Sequence, residues 1–230
     1  MILRSIHLML RRVIRAVIFD LDGTLIHSLP GIAASLNRVL EKFGMPQHPE
    51  SVVRTFIGDG MSVLVERAVN REVSEQELDA MVDGMKQDYA QSWKDGTAPY
   101  PGVVEVLEAL KDQGTAIAIF SNKVHVFCQQ ITDILFPGIT FSAVIGHRDG
   151  FAAKPDPAGA LDIAELLKIP PAEIAFLGDS TIDLQTARHA GMIPIAATWG
   201  YHDAPALAAE KPPFSIDHIA ELLPLIDPAT

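Results

Sequence analysis

The sequence predicts an α/β fold, with a doubly wound parallel sheet of the Rossmann-like kind as its core and an inserted helical domain as a cap. In the second half of the chain, short apolar runs of strand length alternate with helical patterns, the layout of parallel strands joined by crossover helices. After the first apolar run, about 70 residues keep helical spacing, which is too long for a single crossover helix.

These patterns divide the chain into three parts. We expect an α/β hydrolase core over 14–27 and 98–230, a helical cap over 28–97 and an N-terminal extension over 1–13. The first strand ends at Phe19, where an apolar run gives way to polar residues. Arginines interrupt the apolar start of the chain, which argues against a cleavable targeting segment.

The cap begins with a clear helix signal. Ser28 is a candidate N-cap with Pro30 in the first turn, and Gly44 and Pro46 end the helix. From there to about Trp93 the spacing of apolar residues stays helical.

The rest of the chain follows the alternation of a parallel sheet. Strands are expected over 115–120, 143–146, 174–178 and 193–197. Helices are expected to begin near Pro101, Pro157, Ile182 and Asp203, and another helical stretch surrounds Cys128. A lone cysteine without metal-type spacing is expected to be a packing residue.

Composition restricts the partners. The 230 residues carry a net charge of −11, which argues against nucleic acid because phosphate backbones require clustered Lys and Arg. No apolar stretch has the length of a transmembrane helix, so we expect a cytoplasmic protein without membrane contact. The pattern is compatible with a monomer or a homodimer.

Polar residues occur at or just beyond the ends of several predicted strands. They are Asp20 and Asp22, Ser121 and Asn122, Lys154, and Asp179 and Asp183. Each set alone has an ordinary interpretation as a turn or a helix cap. Because the carboxyl ends of parallel strands share one edge, their joint occurrence predicts an active site there.

The four segments resemble the motifs of the haloacid dehalogenase-like hydrolase superfamily. They read Asp20-Leu21-Asp22-Gly23-Thr24-Leu25, Ser121-Asn122-Lys123, Lys154-Pro155-Asp156-Pro157 and Gly178-Asp179-Ser180-Thr181-Ile182-Asp183, in the family's order. The resemblance extends from Ile14 onward. Within the superfamily, the segments 58–64, 100–102 and 199–201 are most similar to the phosphoglycolate phosphatase group.

The chemistry of a phosphate ester suits these residues. A phosphate dianion repels a carboxylate nucleophile, so positive charge must surround Asp20 before it attacks phosphorus. Lys154 supplies one such charge. Asp22 is expected to donate a proton to the leaving alcohol and later to accept one from water. The resemblance implies that an acid at this position favours phosphoryl transfer over dehalogenation, because the dehalogenases of the superfamily generally lack one there.

The acidic cluster selects a hard divalent cation, and Mg²⁺ is the expected cofactor. The resemblance implies that a carboxylate oxygen of Asp20, the backbone carbonyl of Asp22 and a carboxylate oxygen of Asp179 bind the metal. It places Asp183 behind these ligands, about one helical turn away.

Contacts to the substrate are expected from both domains. The Ser121 hydroxyl and the Asn122 backbone amide donate to phosphoryl oxygens, with Lys154 beside them and Thr24 also assigned to the substrate. In the cap, the loop Gly58, Asp59 and Gly60 is either an ordinary turn or a donor of backbone amides to a substrate carboxylate.

Two residues depart from the pattern of phosphoglycolate phosphatase-like chains. His27 occupies a position where many have Asp, and Gly146-His147 replaces a common Gly-Gly-Asp or Gly-Asp. Each marks either a different substrate or a surface change.

The resemblance implies a Mg²⁺-dependent phosphatase that hydrolyses a small phosphorylated metabolite through an aspartyl phosphate, with 2-phosphoglycolate as the first candidate. The alternatives are another substrate, such as a sugar phosphate or pyridoxal phosphate, a phosphomutase, and a non-catalytic binding module of the same fold.

Overall fold

The computed structural model describes residues 13–226. Apart from the exposed Val13, the predicted N-terminal extension lies outside the described residues. No helix within the described range is both long enough and apolar enough to cross a lipid bilayer.

The core is a parallel sheet with a short antiparallel pair of strands beside it. The strands are β1 (Ala16–Phe19), β2 (Ile26–His27), β3 (Ala98–Pro99), β4 (Ala116–Val124), β5 (Ala143–His147), β6 (Ile174–Gly178), β7 (Ile193–Ala197) and β8 (Phe214–Ile216). Six of them form one sheet in the order β5-β4-β1-β6-β7-β8, and every neighbouring pair is parallel. The doubly wound fold predicted from the sequence is confirmed.

Strand β1 is the centre of the sheet, and the strand order reverses around it. The chain moves outward from β1 through β4 to β5, then returns to β6 and moves outward on the other side. Open α/β sheets bind ligands at the carboxyl ends of the strands at such a switch point. The residues after Phe19 therefore lie where this fold builds its ligand site.

Strand β4 is longer than the sequence pattern indicated. The expected end was residue 120, but the strand continues to Val124, with a register shift against β5 between Phe120 and Val124. Ser121 and Asn122 therefore lie within the strand rather than after it. The polar character of these positions concealed the extension, because β-strand prediction relies on apolar and β-branched residues.

Helices cover both faces of the sheet. They are α1 (Leu29–Lys42), α2 (Glu50–Val53), α3 (Met61–Ala68), α4 (Glu75–Ser92), α5 (Val103–Asp112), α6 (His125–Leu135), α7 (Ala158–Leu167), α8 (Thr181–His189) and α9 (Ala204–Ala209). Alternate residues of β1 join different apolar clusters, with Val17 packed among residues of α5 and α6 and Ile18 among residues of α7 and α8. This alternation explains why the central strands are apolar throughout.

The inserted helices leave and rejoin the core through β2 and β3, which pair antiparallel. Helix α1 packs along α4, and fully buried side chains such as Leu36 and Met81 join the same apolar cluster as one face of the sheet. The helical content expected from residue 28 to about residue 93 is present, with no strand between Leu29 and Ser92. The division into core and cap at 28–97 stays a prediction.

Helix α1 begins where the sequence pattern placed it, but Ser28 does not cap it with its side chain. The Ser28 side chain makes no bond to the first turn, whereas Gly44 ends the helix with a φ of 66° as expected. The Ser28 hydroxyl instead reaches toward Asp22. Cys128 is buried in α6, in agreement with a packing role.

Truncation of Leu36 tests how far the inserted helices contribute to the stability of the whole fold. Leu36→Ala removes a fully buried side chain and should lower the free energy of unfolding by about 2–5 kcal/mol. Leu166→Ala in α7 removes a side chain that is 61% exposed and should change it by less than about 0.5 kcal/mol. Urea denaturation measures both, and equal effects would contradict the described packing.

Candidate active site

The strand ends bring most of the predicted residues to one cavity. The cavity lies between the carboxyl-terminal edge of the sheet and the inserted helices. The predicted residues that line it are Asp20, Asp22, Ser121, Asn122, Lys154, Asp179, Gly58 and Gly60. Thr24, Asp59 and Asp183 belong to the surroundings rather than to the wall.

Three buried carboxylates form the floor of the site. Asp20 follows β1, Asp179 follows β6 and Asp183 lies in the first turn of α8, and one oxygen of each lies within 4.8 Å of the others. Their exposed fractions are 8%, 2% and 0%. Close, desolvated carboxylates repel one another unless cations or protons neutralise them.

Lys154 bridges two members of this group. Its Nζ lies 2.8 Å from Asp20 Oδ1 and 2.6 Å from Asp183 Oδ1. The other oxygen of Asp183 accepts hydrogen bonds from the Ser180 amide, at 3.0 Å, and the Ser180 hydroxyl, at 2.6 Å. Both oxygens of Asp183 are therefore engaged by the protein, as expected for a residue that orients Lys154.

Asp179 is held from two sides. Its Oδ1 accepts a hydrogen bond from the Thr24 hydroxyl at 3.0 Å, and its Oδ2 accepts one from the Tyr201 amide at 2.7 Å. Glycines allow this closeness, since a Cβ on Gly23 or Gly200 would lie 2.4 Å or 2.3 Å from Asp179 Oδ2. Gly23 also has a φ of 83°, which a side chain would strain.

Thr24 differs from its predicted role. The residue is fully buried, and its hydroxyl points at Asp179 rather than into the cavity. It lies behind a carboxylate, so its contribution is to orient Asp179. The sequence pattern predicted its proximity to the site but not the direction of its side chain.

Burial changes the protonation of the floor. It raises the pKa of Asp20 to about 6, against the attraction of Lys154. Burial, with the negative charges of Asp183 and Asp20, raises the pKa of Asp179 to about 8. In addition, Asp20 Oδ1 accepts no hydrogen bond of good geometry, although it is buried.

These observations fit a bound metal ion. All the candidate ligands are oxygen atoms, and buried carboxylates with raised pKa values gain most from a nearby cation. Each Asp179 oxygen accepts one hydrogen bond, from Thr24 or from Tyr201, and keeps a further lone pair that a metal ion can use. The acidic group can therefore hold a hard divalent cation.

Asp22 has partners that the sequence analysis did not assign. Its two carboxylate oxygens each accept a hydrogen bond from Lys123 Nζ at 3.0 Å, and Oδ1 also accepts one from the Ser28 hydroxyl at 2.5 Å. Lys123 further donates to the Tyr89 hydroxyl at 2.8 Å. Lys123 was visible in the second motif, but only the fold shows that it reaches Asp22.

Asn122 joins three segments. Its side-chain amide donates to the carbonyls of Gly58 and Lys154 at 2.9 Å and 3.1 Å, and its Oδ1 accepts from the Lys154 amide at 2.8 Å. Ser121 Oγ accepts a bond from the Lys123 amide at 3.3 Å and keeps its own proton for another acceptor. The Asn122 side chain thus fixes the backbone of Lys154 beside the loop from Gly58 to Gly60.

The loop from Gly58 to Gly60 contributes its glycines to the cavity. Gly58 and Gly60 line the wall, while the Asp59 carboxylate forms an ion pair with Arg67 at 2.5 Å. The Asp59 side chain therefore holds the loop from outside. His202, which the sequence analysis did not single out, also lines the cavity, and burial lowers its pKa.

The two unusual histidines lie outside the cavity wall. His27 is exposed on β2, with its Nδ1 3.4 Å from the Tyr100 hydroxyl. His147 is exposed at the end of the edge strand β5. The glycine before it permits close packing, since a Cβ on Gly146 would lie 2.6 Å from the Lys123 carbonyl.

Comparison with known proteins identifies the family of this chain. The family model described as haloacid dehalogenase-like hydrolase matches residues 17–197. A relative from Pseudomonas aeruginosa, named phosphoglycolate phosphatase 1, is 37% identical over 95% of this chain and 82% of its own length. The phosphoglycolate phosphatase of Pectobacterium atrosepticum is 37% identical over 93% of this chain and 92% of its own.

A solved structure has the same fold. The crystal structure of a predicted phosphoglycolate phosphatase from Haemophilus somnus superimposes with a TM-score of 0.86 at 34% identity, covering 92% of this chain and 97% of that one. The similarity extends over the inserted helices as well as the sheet. The chain therefore belongs to the haloacid dehalogenase-like hydrolase family, among relatives named phosphoglycolate phosphatase.

Proposed function

We propose that this protein is a Mg²⁺-dependent phosphatase that hydrolyses 2-phosphoglycolate, a small phosphate monoester, through a phosphorylated Asp20. The observation that carries the proposal is the ion pair of Lys154 with Asp20, in a buried group of carboxylates that fits a metal ion. The names of the relatives supply the substrate.

The first chemical step forms an aspartyl phosphate. An oxygen of Asp20 bonds to phosphorus as the bond from phosphorus to the alcohol oxygen breaks. Charge on the phosphoryl oxygens is neutralised by Lys154, by the Ser121 hydroxyl and by the backbone amide of Asn122. Mg²⁺, held by Asp20, the Asp22 carbonyl and Asp179, would neutralise further charge and orient the phosphate when bound.

Asp22 transfers the protons. The protonated carboxyl gives its proton to the leaving alcohol, and the carboxylate then removes a proton from the water that attacks the aspartyl phosphate. Lys123 and Ser28 donate hydrogen bonds to this carboxylate and so fix the direction in which it points. The proton taken from water in one cycle serves the leaving alcohol of the next.

The walls of the cavity support a small substrate. Apolar side chains of the inserted helices, including Ile32, Met61 and Met85, line part of the cavity. A glycolate group needs little room, and the backbone amides of the loop from Gly58 to Gly60 are the partners that we propose for its carboxylate.

Replacement of the nucleophile tests the proposal. Asp20→Asn should lower phosphate release from 2-phosphoglycolate by on the order of 10³-fold or more, because the amide is not a nucleophile. Asp133→Asn, at an exposed position on α6, should keep full activity. Inorganic phosphate is measured for 2-phosphoglycolate, a sugar phosphate and pyridoxal phosphate, each with Mg²⁺ or a chelator.

The same panel decides between the alternatives. Metal-dependent turnover that persists in Asp20→Asn would reject the assignment of Asp20 as the nucleophile. Higher specificity for one of the other two esters would reject 2-phosphoglycolate as the substrate. Failure of the wild-type protein on every ester would favour a binding module.

The raised pKa values of Asp20 and Asp179 predict an unusual pH dependence of stability. The folded, metal-free protein retains protons that the unfolded chain releases, so its free energy of unfolding should fall from about pH 4 to about pH 8. Mg²⁺ binds the ionised carboxylates and should raise Tm more at about pH 8 than at about pH 5.

Thermal unfolding with Mg²⁺ and with a chelator, across this pH range, measures the effect. Asp179→Asn removes one of the two shifted groups and should reduce both the pH dependence and the stabilisation by Mg²⁺. An increase in the stability of the metal-free protein between these pH values would contradict the prediction.

The glycine beside Asp179 should be intolerant of a side chain. Gly200→Ala would place a Cβ 2.3 Å from Asp179 Oδ2, and the resulting displacement should lower turnover by about 10²-fold. Gly84→Ala, inside α4, is the matched control. Its Cβ would lie 3.8 Å from Val39 Cγ1, which is an ordinary van der Waals contact. The control should keep full activity and gain up to about 1 kcal/mol of stability.

Steady-state kinetics and urea denaturation of both variants provide the comparison. Full activity of Gly200→Ala would show that Asp179 does not need its observed position.

A further inference from the structure

The buried ammonium of Lys123 connects two parts of the molecule. Lys123 belongs to β4 of the sheet, and its side chain is only 6% exposed. Its Nζ donates to both oxygens of Asp22 and to the Tyr89 hydroxyl. A buried charge is stable only when its hydrogen bonds are satisfied, so Lys123 depends on both partners.

Tyr89 reaches Lys123 from the inserted helices. It lies in α4, is 1% exposed, and packs its ring at 78° against Phe127, with centroids 5.1 Å apart. Lys123 Nζ also lies 4.6 Å from the centroid of the Tyr89 ring, close enough for a cation–π contact. The hydroxyl and the ring face of one tyrosine therefore fix the direction in which the ammonium points.

A second hydrogen bond connects Asp22 to the insert. Ser28, the residue before α1, donates its hydroxyl to Asp22 Oδ1. The backbone amides of Ser28 and Leu29 donate to the Tyr201 hydroxyl at 2.8 Å and 2.9 Å. Asp22 is thus held between a residue at the start of the inserted segment and a lysine that contacts its last long helix.

We propose that Tyr89 is a positioning residue for the reaction, acting through Lys123 to align the Asp22 carboxylate with the attacking water. The inference rests on the proposed function. In this step the water oxygen bonds to phosphorus, the bond from phosphorus to the Asp20 oxygen breaks, and Asp22 takes the proton that water loses.

The experiment separates the two chemical steps with p-nitrophenyl phosphate in the presence of Mg²⁺. Release of p-nitrophenolate needs little proton donation, so a single turnover with enzyme in excess reports attack by Asp20. Decay of the ³²P-labelled phosphoenzyme after a chase with unlabelled ester reports attack by water. A merely structural defect would reduce the amount of competent enzyme without slowing the second step selectively.

Tyr89→Phe keeps the buried ring and removes the hydroxyl. We expect its single-turnover release of p-nitrophenolate to stay within about twofold of wild type, and its phosphoenzyme to decay on the order of tenfold more slowly. Ser92→Ala is the control, since it removes a hydroxyl from the same helix whose partners, Asp88 and Arg38, lie in the inserted helices. It should leave both rates unchanged.

A double-mutant cycle tests the route through Lys123. Lys123→Met should slow phosphoenzyme decay at least as much as Tyr89→Phe, and the double variant should be no slower than Lys123→Met alone. Independent, multiplicative effects of the two substitutions would overturn the inference, as would unchanged decay in Tyr89→Phe. If wild type hydrolysed no phosphate ester, the proposed function would fall and this inference with it.

Discussion

Four aspartates with largely buried side chains meet at the carboxyl ends of β1 and β6, and the charge of this group governs the site around it. Two lysines stand against them, Lys154 beside Asp20 and Asp183, and Lys123 beside Asp22. If all these groups are ionised, two negative charges remain, which one divalent cation would balance. When no cation is bound, burial and the neighbouring negative charges raise the pKa values of Asp20 and Asp179.

The need to hold these charges explains features far from the chemistry in sequence. Gly23 and Gly200 lack side chains because Asp179 occupies the space that a Cβ would fill. The inserted helices also take part, since α4 provides Tyr89 to the buried ammonium of Lys123. The helical insert is therefore more than a cover for the cavity, because it completes the hydrogen bonding of a charged group in the core.

The sequence alone predicted the sheet, its central strands and the edge at which the site forms, because apolar periodicity and strand ends are local signals. It did not predict that β4 continues through Ser121, since polar residues there follow the demands of the site. It assigned Thr24 to the substrate and overlooked Lys123, because motif spacing gives proximity without side-chain direction. The roles of Tyr89 and Ser28 depend on contacts between distant segments, which no local pattern contains.

The most direct test is to trap the covalent intermediate. The protein is quenched in acid during turnover of 2-phosphoglycolate with Mg²⁺, digested, and examined by mass spectrometry for a phosphorylated residue. We predict an alkali-labile phosphate on Asp20, absent from Asp20→Asn. Phosphate on Ser121, or continued turnover with no phosphorylated Asp20 under conditions that preserve acyl phosphates, would contradict a mechanism in which Asp20 is the nucleophile.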